Sequence, residues 1–190
     1  MPVSDAAPRK LLLGLIGAGI QQSLTPAMQE AEAAAQGLRA HYQLIDLDRA
    51  GVGVEALPGL ITAARTMGFA GLNITFPCKQ AVIPLLDGLS DDARAMGAVN
   101  TVVFSGGRAI GHAHAALRLG VGQLTLIDTE AVRAQALADS LNALYGSGRV
   151  QASTDVAAVL PTATGLVHAT PTGMAKLPGL PLPASLLRPG

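Results

Sequence analysis

The chain has 190 residues, 49% of them hydrophobic, which is enough for a sizeable core in one or two domains. Thirteen basic and thirteen acidic residues cancel, which removes the electrostatic basis for binding nucleic acid or an anionic membrane. The single cysteine, Cys78, excludes an internal disulfide and fits a reducing cytosol.

Met1 to Pro8 reads as a loose tail. Arg9 and Lys10 precede an apolar run to Ile20, but glycines and alanines interrupt it and no cleavage site is clear. Lys10 to Gly17 therefore reads as a buried strand. No run in the sequence approaches the ~20 apolar residues of a membrane-spanning helix. Gly17-Ala18-Gly19 follows that strand, and strand plus G-x-G is half of a dinucleotide fingerprint. Asp46, ending the next strand (Tyr42 to Asp46), would then be its ribose-binding acid. Position 22 is Gln where the third glycine belongs, so this signal is weak.

Ser23 and Thr25 place two hydroxyls before a proline-initiated helix, Pro26 to Gln36. Thr25 suits an N-cap, and two hydroxyls beside free helix N–H groups also suit a carboxylate. Val54 to Met67 is an amphipathic helix with Leu57, Leu60, Ile61 and Ala64 on one face. Ala70 to Thr75 is a strand. It runs into Phe76-Pro77-Cys78-Lys79, where Pro77 suits the first turn of a helix reaching Leu86, kinked at Pro84. Asn73, Thr75 and Lys79 would cluster where a strand ends and a helix begins, the edge at which α/β proteins collect ligands. A lysine among apolar residues is either a surface residue or a tuned general base. Ser90 caps a helix from Asp91 to Met96. Ala98 to Phe104 is a strand interrupted by Asn100 and Thr101, Ser105 to Arg108 a hairpin turn, and Ala109 to His112 the return strand.

The character changes after His112. A short helix (Ala113 to Leu119), a strand (Gln123 to Asp128), a helix (Ala131 to Leu144), a strand (Arg149 to Ala152), a helix capped by Thr154 or Asp155 and a strand (Gly165 to Ala169) alternate as in a second parallel sheet. Asp128 at a strand end, with Arg133 five residues on, matches the grip of a Rossmann half on an adenosine ribose; a helix-capping aspartate reads equally well. Pro178 to Gly190 has no periodicity and reads as a linker or a cut end.

Four motifs stand in order: Ser23-Leu24-Thr25-Pro26-Ala27-Met28, Asn73-Ile74-Thr75-Phe76-Pro77-Cys78-Lys79, Gly97-Ala98-Val99-Asn100-Thr101-Val102 and Ala169-Thr170-Pro171-Thr172-Gly173-Met174. Together they resemble the shikimate/quinate dehydrogenase family. The resemblance implies an α/β chain with a substrate-binding domain at 1–112 and a partial Rossmann-type dinucleotide domain at 113–190. It implies an oxidoreductase that moves a hydride between NAD(P) and a ring hydroxyl of quinate or shikimate. By position, Lys79 would be the acid/base residue. Ser23 and Thr25 would hold the carboxylate, and Thr75 and Asn100 the ring hydroxyls with Asn73 in support. Asp128, Arg133, Thr170, Gly173 and Met174 would lie at the cofactor. Thr25 in place of a serine resembles quinate-accepting members, and Asp128 in place of a basic residue points to NAD over NADP. The expected partner is a small cyclic hydroxy acid, with no nucleic acid, membrane or metal; a homodimer stays open.

The sequence departs from that family after His112. The family continues with Asn-Thr-Asp, whose aspartate accompanies the lysine, and then with a glycine-rich turn over the pyrophosphate. Here Ala113-His114-Ala115 follows, and Gly120-Val121-Gly122 comes after a helix rather than before one. The join reads as a loss of several tens of residues, either segments of a longer protein that this sequence omits or a true shortening; a truly shortened chain would bind NAD poorly and turn over little or not at all. The rival reading is a non-catalytic cyclitol-acid binding protein that has lost its cofactor half.

Overall fold

The computed structural model describes residues 10–113, 116–170, 172–173 and 178–187. The expected tail at Met1–Pro8 and the cofactor candidate Met174 lie outside them. The chain divides into two compact units, Met1–Ala113 and His114–Gly190.

The first unit is built on β1 (Lys10–Gly17), whose apolar run is flanked on both sides by parallel neighbours. A strand buried on both faces reads as a continuous hydrophobic stretch rather than an alternating one. Its neighbours are β2 (Arg39–Asp46) and β3 (Gly71–Ile74). The sheet continues through β5 (Thr101–Ser105), β6 (Arg108–His112) and the two-residue β4 (Gly88–Leu89), in the order β2-β1-β3-β5-β6-β4. β5 runs antiparallel to β3, with Asn73 opposite Thr101. The start of β5 therefore lies at the edge where β1 and β3 end.

Strand alternation sorts the side chains of β3. Leu72 and Ile74 are buried in the main core with Ile16, Leu57, Ile61 and Val102, while Asn73 points to the opposite face. Each such buried Leu or Ile contributes about 1.5–3 kcal/mol. The core side is covered by α3 (Leu57–Thr66), which begins one residue before Pro58 and so three residues later than its periodicity suggests. The preceding turn, Val54–Ala56, is a 3₁₀ helix. On the other face α1 (Thr25–Ala35) packs beside β2, and Leu15, Ile20 and Tyr42 form a smaller cluster. Glu30 of α1 accepts from Tyr42 N at 2.8 Å, which occupies a backbone donor of the edge strand β2.

Two helices differ from expectation. Leu24, not Thr25, is the N-cap of α1, with no side-chain cap bond. After β3 the helix α4 (Cys78–Ala81) lasts four residues and gives way to a 3₁₀ turn at Ile83–Leu85. Pro84 has no N–H to continue the ladder and crowds the carbonyl four residues back. The helix α5 (Asp91–Met96) starts where its sequence indicates, with Ser90 Oγ accepting from Ala93 N at 3.2 Å.

The second unit holds β7 (Leu124–Ile127), α6 (Ala131–Tyr145), β8 (Val150–Ser153) and α7 (Val156–Val159). β7 and β8 pair in parallel, as the β-α-β alternation requires. The expected strand at Gly165–Ala169 does not form: residues 165–169 are exposed and outside any sheet. A strand is stable only against a neighbour, and among the described residues no strand pairs with this segment. Among the described residues no helix is long and apolar enough to cross a membrane.

Gly17 is the tightest point of the first unit. A Cβ there would overlap the Thr75 Cγ2 methyl and lie 3.0 Å from Phe76 O. Gly17→Ala should therefore cost about 1–3 kcal/mol in urea unfolding. Gly59→Ala, in α3 with open space around it, should instead gain about 0.4–1 kcal/mol.

Candidate active site

The turn between β3 and α4 is held from three sides. Thr75 N donates to Ile16 O at 2.9 Å, Ala18 N donates to Phe76 O at 2.9 Å, and Cys78 N closes the turn on Thr75 O at 2.8 Å. The first two bonds tie it to the end of β1. Pro77 therefore sits at the N-cap of α4, one residue ahead of its expected place in the first turn. Cys78 is fully buried beneath it, and burial pushes its thiol pKa up. Lys79 is exposed, and among the described residues its side chain has no hydrogen bond or ion pair. Its backbone carbonyl accepts from Val99 N at 2.9 Å, and Asn100 O accepts from Ile74 N at 2.8 Å. Backbone bonds thus bring Thr75, Lys79 and Asn100 to one edge of the sheet.

Ser23 and Thr25 lie in the loop and first helical turn that follow β1 at this same edge. Ser23 Oγ donates to Thr25 Oγ1 at 2.9 Å and accepts from Thr25 N at 3.2 Å. The two hydroxyls are therefore an ordered pair rather than a helix cap.

A second polar group crosses the sheet. Asn73 Oδ1 accepts from the Tyr42 phenol at 2.6 Å, and Asn73 Nδ2 donates to Thr101 Oγ1 at 3.3 Å. Thr101 Oγ1 donates to Asn100 Oδ1 at 3.1 Å. Burial pushes the Tyr42 pKa up to about 12. Tyr42, Asn73 and Thr101 line a cavity of about 280 Å³ along the body of the sheet, a lining that does not include Lys79 or Thr75. Tyr42 drew no notice in the sequence; a tyrosine within an otherwise half-apolar strand is a signal, because a buried phenol needs a partner.

The Gly17-Ala18-Gly19 segment is not a phosphate turn. Asp46 Oδ1 accepts from Gly19 N at 3.0 Å and Asp48 N at 3.1 Å, and Oδ2 from Ile20 N at 3.1 Å and Gln21 Nε2 at 2.9 Å. A carboxylate with four donors has little left for a ribose. It fixes the loop that leads to Ser23, and it caps the short helix α2 (Leu47–Ala50).

In the second unit, Asp128 stands just past β7. Its Oδ1 accepts from Glu130 N at 3.0 Å, and Arg133 Nη1 lies 3.5 Å from Oδ2. Glu130, not Asp128, occupies the N-cap position of α6. The Glu130 N–H, chiefly, and the Arg133 charge hold the Asp128 pKa below its ordinary value against the opposing effect of desolvation. Arg133 also pairs with Glu130 at 2.7 Å. Thr170 Oγ1 lies 3.3 Å from His168 Nδ1, and Gly173 has φ of +91°.

The second unit fits only one end of a dinucleotide. A strand-end carboxylate suits an adenosine ribose. The diphosphate needs free backbone N–H groups at a glycine-rich helix start. The turn between β7 and α6, Asp128-Thr129-Glu130, contains no glycine and two acids. Before β7 the Val121-Gly122 segment presents carbonyls to a cation instead: Arg149 donates to Gly122 O at 2.7 Å and to Val121 O at 2.8 Å.

Residues 15–102 match the model of the shikimate dehydrogenase substrate binding domain. The shikimate dehydrogenase (NADP(+)) of Streptomyces avermitilis is 50% identical over 216 residues, covering 94% of this chain and 74% of that protein. The chain belongs to the shikimate/quinate dehydrogenase family. The quinate/shikimate dehydrogenase (NAD(+)) of Corynebacterium efficiens is 39% identical, over 94% of this chain and 76% of its own length. The solved quinate dehydrogenase of Corynebacterium glutamicum in complex with NAD has a TM-score of 0.71 at 37% identity, covering 94% of this chain and 77% of that one. The Streptomyces alignment is longer than this 190-residue chain, so that relative carries at least 26 residues within it that this chain lacks.

The Asp46 carboxylate gives a pH test. Burial alone would raise its pKa, but the Gln21 side chain and the three N–H donors outweigh that and hold it below the ordinary value. A depressed folded pKa contributes stability above the unfolded value and loses it as pH falls through the folded one. Asp46→Asn should destabilise the protein at pH 7, and the difference should shrink as pH falls below the ordinary carboxylate value of about 3.9, measured as unfolding free energy against pH.

Proposed function

We propose that this chain is the oxidoreductase its family implies, moving a hydride between NAD(P) and a ring hydroxyl of quinate or shikimate. The observation that carries this is the convergence of Ser23, Thr25, Thr75, Lys79 and Asn100 on one sheet edge, in a chain whose reported relatives are all named as dehydrogenases. Ser23 and Thr25 receive the carboxylate through their ordered hydroxyls. Thr75 and Asn100 hold ring hydroxyls. Lys79 accepts the proton of the reacting hydroxyl oxygen and returns it in the reverse direction. A flexible side chain with no ion pair among the described residues is able to reach that oxygen, and it takes the proton as the neutral amine.

The first unit is the substrate half and the second unit the adenosine end of the cofactor half. NAD is the preferred cofactor, because Asp128 accepts from a ribose 2′-OH and repels a 2′-phosphate. Thr25 favours quinate alongside shikimate. With no diphosphate cradle among the described residues, the 190-residue chain holds its dinucleotide weakly. Its KM for NAD lies above the usual ~1 μM–1 mM range. The rival reading, a non-catalytic binding protein, gains nothing from these relatives.

The test follows absorbance of the reduced nicotinamide with quinate and shikimate, each with NAD and NADP. Quinate-dependent reduction of NAD is expected, saturating only at high NAD. Lys79→Ala should lower kcat about 10²–10⁴-fold while the quinate Kd from calorimetry stays within about threefold. Near-normal turnover of that variant contradicts the role of Lys79, and no reduction of either cofactor with either acid contradicts the function. Thr25→Ser should move the quinate-to-shikimate ratio of kcat/KM towards shikimate.

A further inference from the structure

The bonds from Tyr42 to Asn100 run head to tail. Tyr42 donates to Asn73 Oδ1, Asn73 Nδ2 donates to Thr101 Oγ1, and Thr101 Oγ1 donates to Asn100 Oδ1. A side-chain amide has one donor end and one acceptor end, and a phenol has a single proton. Turning the Asn73 amide over would set its NH₂ against Tyr42 and leave the phenol proton with no acceptor among the described residues. Tyr42 is 5% exposed, and that orientation would forfeit the one acceptor the protein gives its phenol. The direction of the relay is therefore set at Tyr42. At its far end the Thr101 proton holds Asn100 Oδ1, which turns the Asn100 NH₂ away from Thr101 and leaves it to donate.

We infer that Tyr42 is a specificity-setting positioning residue: acting through Asn73 and Thr101, it fixes Asn100 as a hydrogen-bond donor at the sheet edge. The group that the Asn100 NH₂ faces is then an oxygen with a free lone pair, such as a hydroxyl or ketone oxygen. This rests on the proposed role of Asn100 in substrate binding and adds the residue that orients it. Tyr42 itself lies three strands from Asn100 in the sheet order and acts only through the relay.

The chain has three asparagines, Asn73, Asn100 and Asn142. Asn142 Nδ2 donates to Val150 O in the second unit at 2.8 Å and is an internal reference. In nitrogen-15 spectra of the 190-residue chain, Tyr42→Phe should move the side-chain NH₂ signals of both Asn73 and Asn100 and leave those of Asn142. Phenylalanine keeps the ring packing. If that variant does not fold, Thr101→Val breaks the middle link and should move the Asn100 signals in the same way. Asn100 signals that stay in place overturn the inference. By calorimetry, Tyr42→Phe should weaken quinate binding about 3- to 30-fold in the wild-type background and not in an Asn100→Ala background. An equal loss in both backgrounds also overturns it. If the unmodified chain binds neither quinate nor shikimate, the proposed substrate fails, and the relay still stands or falls on the asparagine signals.

Discussion

The close approach of the Thr75–Phe76 segment to Gly17 is the constraint on which the rest of the first unit depends. Two strands running in parallel end together, and the chain leaving β3 must cross the chain leaving β1. Gly17 has no Cβ, so Thr75 and Phe76 fit against it, and Ala18 N–H and Ile16 C=O bond to that turn. This contact sets where α4 begins, and so where Lys79 projects. It also explains the neighbouring Gly19, whose N–H is turned into the Asp46 carboxylate together with that of Ile20. A glycine pair that resembles a phosphate turn is here a packing surface for a lysine-bearing turn.

The antiparallel placement of β5 is the second requirement. In an all-parallel sheet the ends of strands meet the ligand, and a residue at the start of a strand would lie at the far side. Because β5 runs against β3, Asn100 and Thr101 at its beginning stand beside Asn73 and Ile74 at the end of β3. β6 returns beside it, and Asn100 N donates to His112 O at 3.0 Å. The first unit therefore collects one polar residue from each of several elements at one edge, while Leu72, Ile74 and Val102 hold the sheet down on the other face of the same strands.

Much of this was legible in the residues. The apolar run of β1, the strand-turn at Asn73–Lys79, the Ser90 cap and the hairpin at Ser105–Arg108 all carry local signals, and local signals survive in the fold. What was not legible depends on partners distant in sequence. Asp46 looked like a ribose acid because its four donors sit up to 27 residues away. Tyr42 gave no motif because its role lies in a bond to Asn73, 31 residues on. The two-residue strand β4 is too short for any period. Gly165–Ala169 has strand composition yet remains exposed, since propensity without a neighbouring strand does not make a ladder. The Asp128 carboxylate stands just past its strand as expected, but the glycine turn that would complete a diphosphate site has no counterpart among the described residues.

The central claim is that the edge formed by β1, β3 and the start of β5 is one pocket for a cyclic hydroxy acid, able to bind without the cofactor half. The direct measurement is a quinate titration of the nitrogen-15-labelled chain without nucleotide, following backbone amide signals. The account predicts that Ser23, Thr25, Thr75, Lys79 and Asn100 shift together with one Kd, while residues of α6 stay in place. Shifts confined to the second unit, or none with quinate or shikimate at saturating concentration, would contradict it.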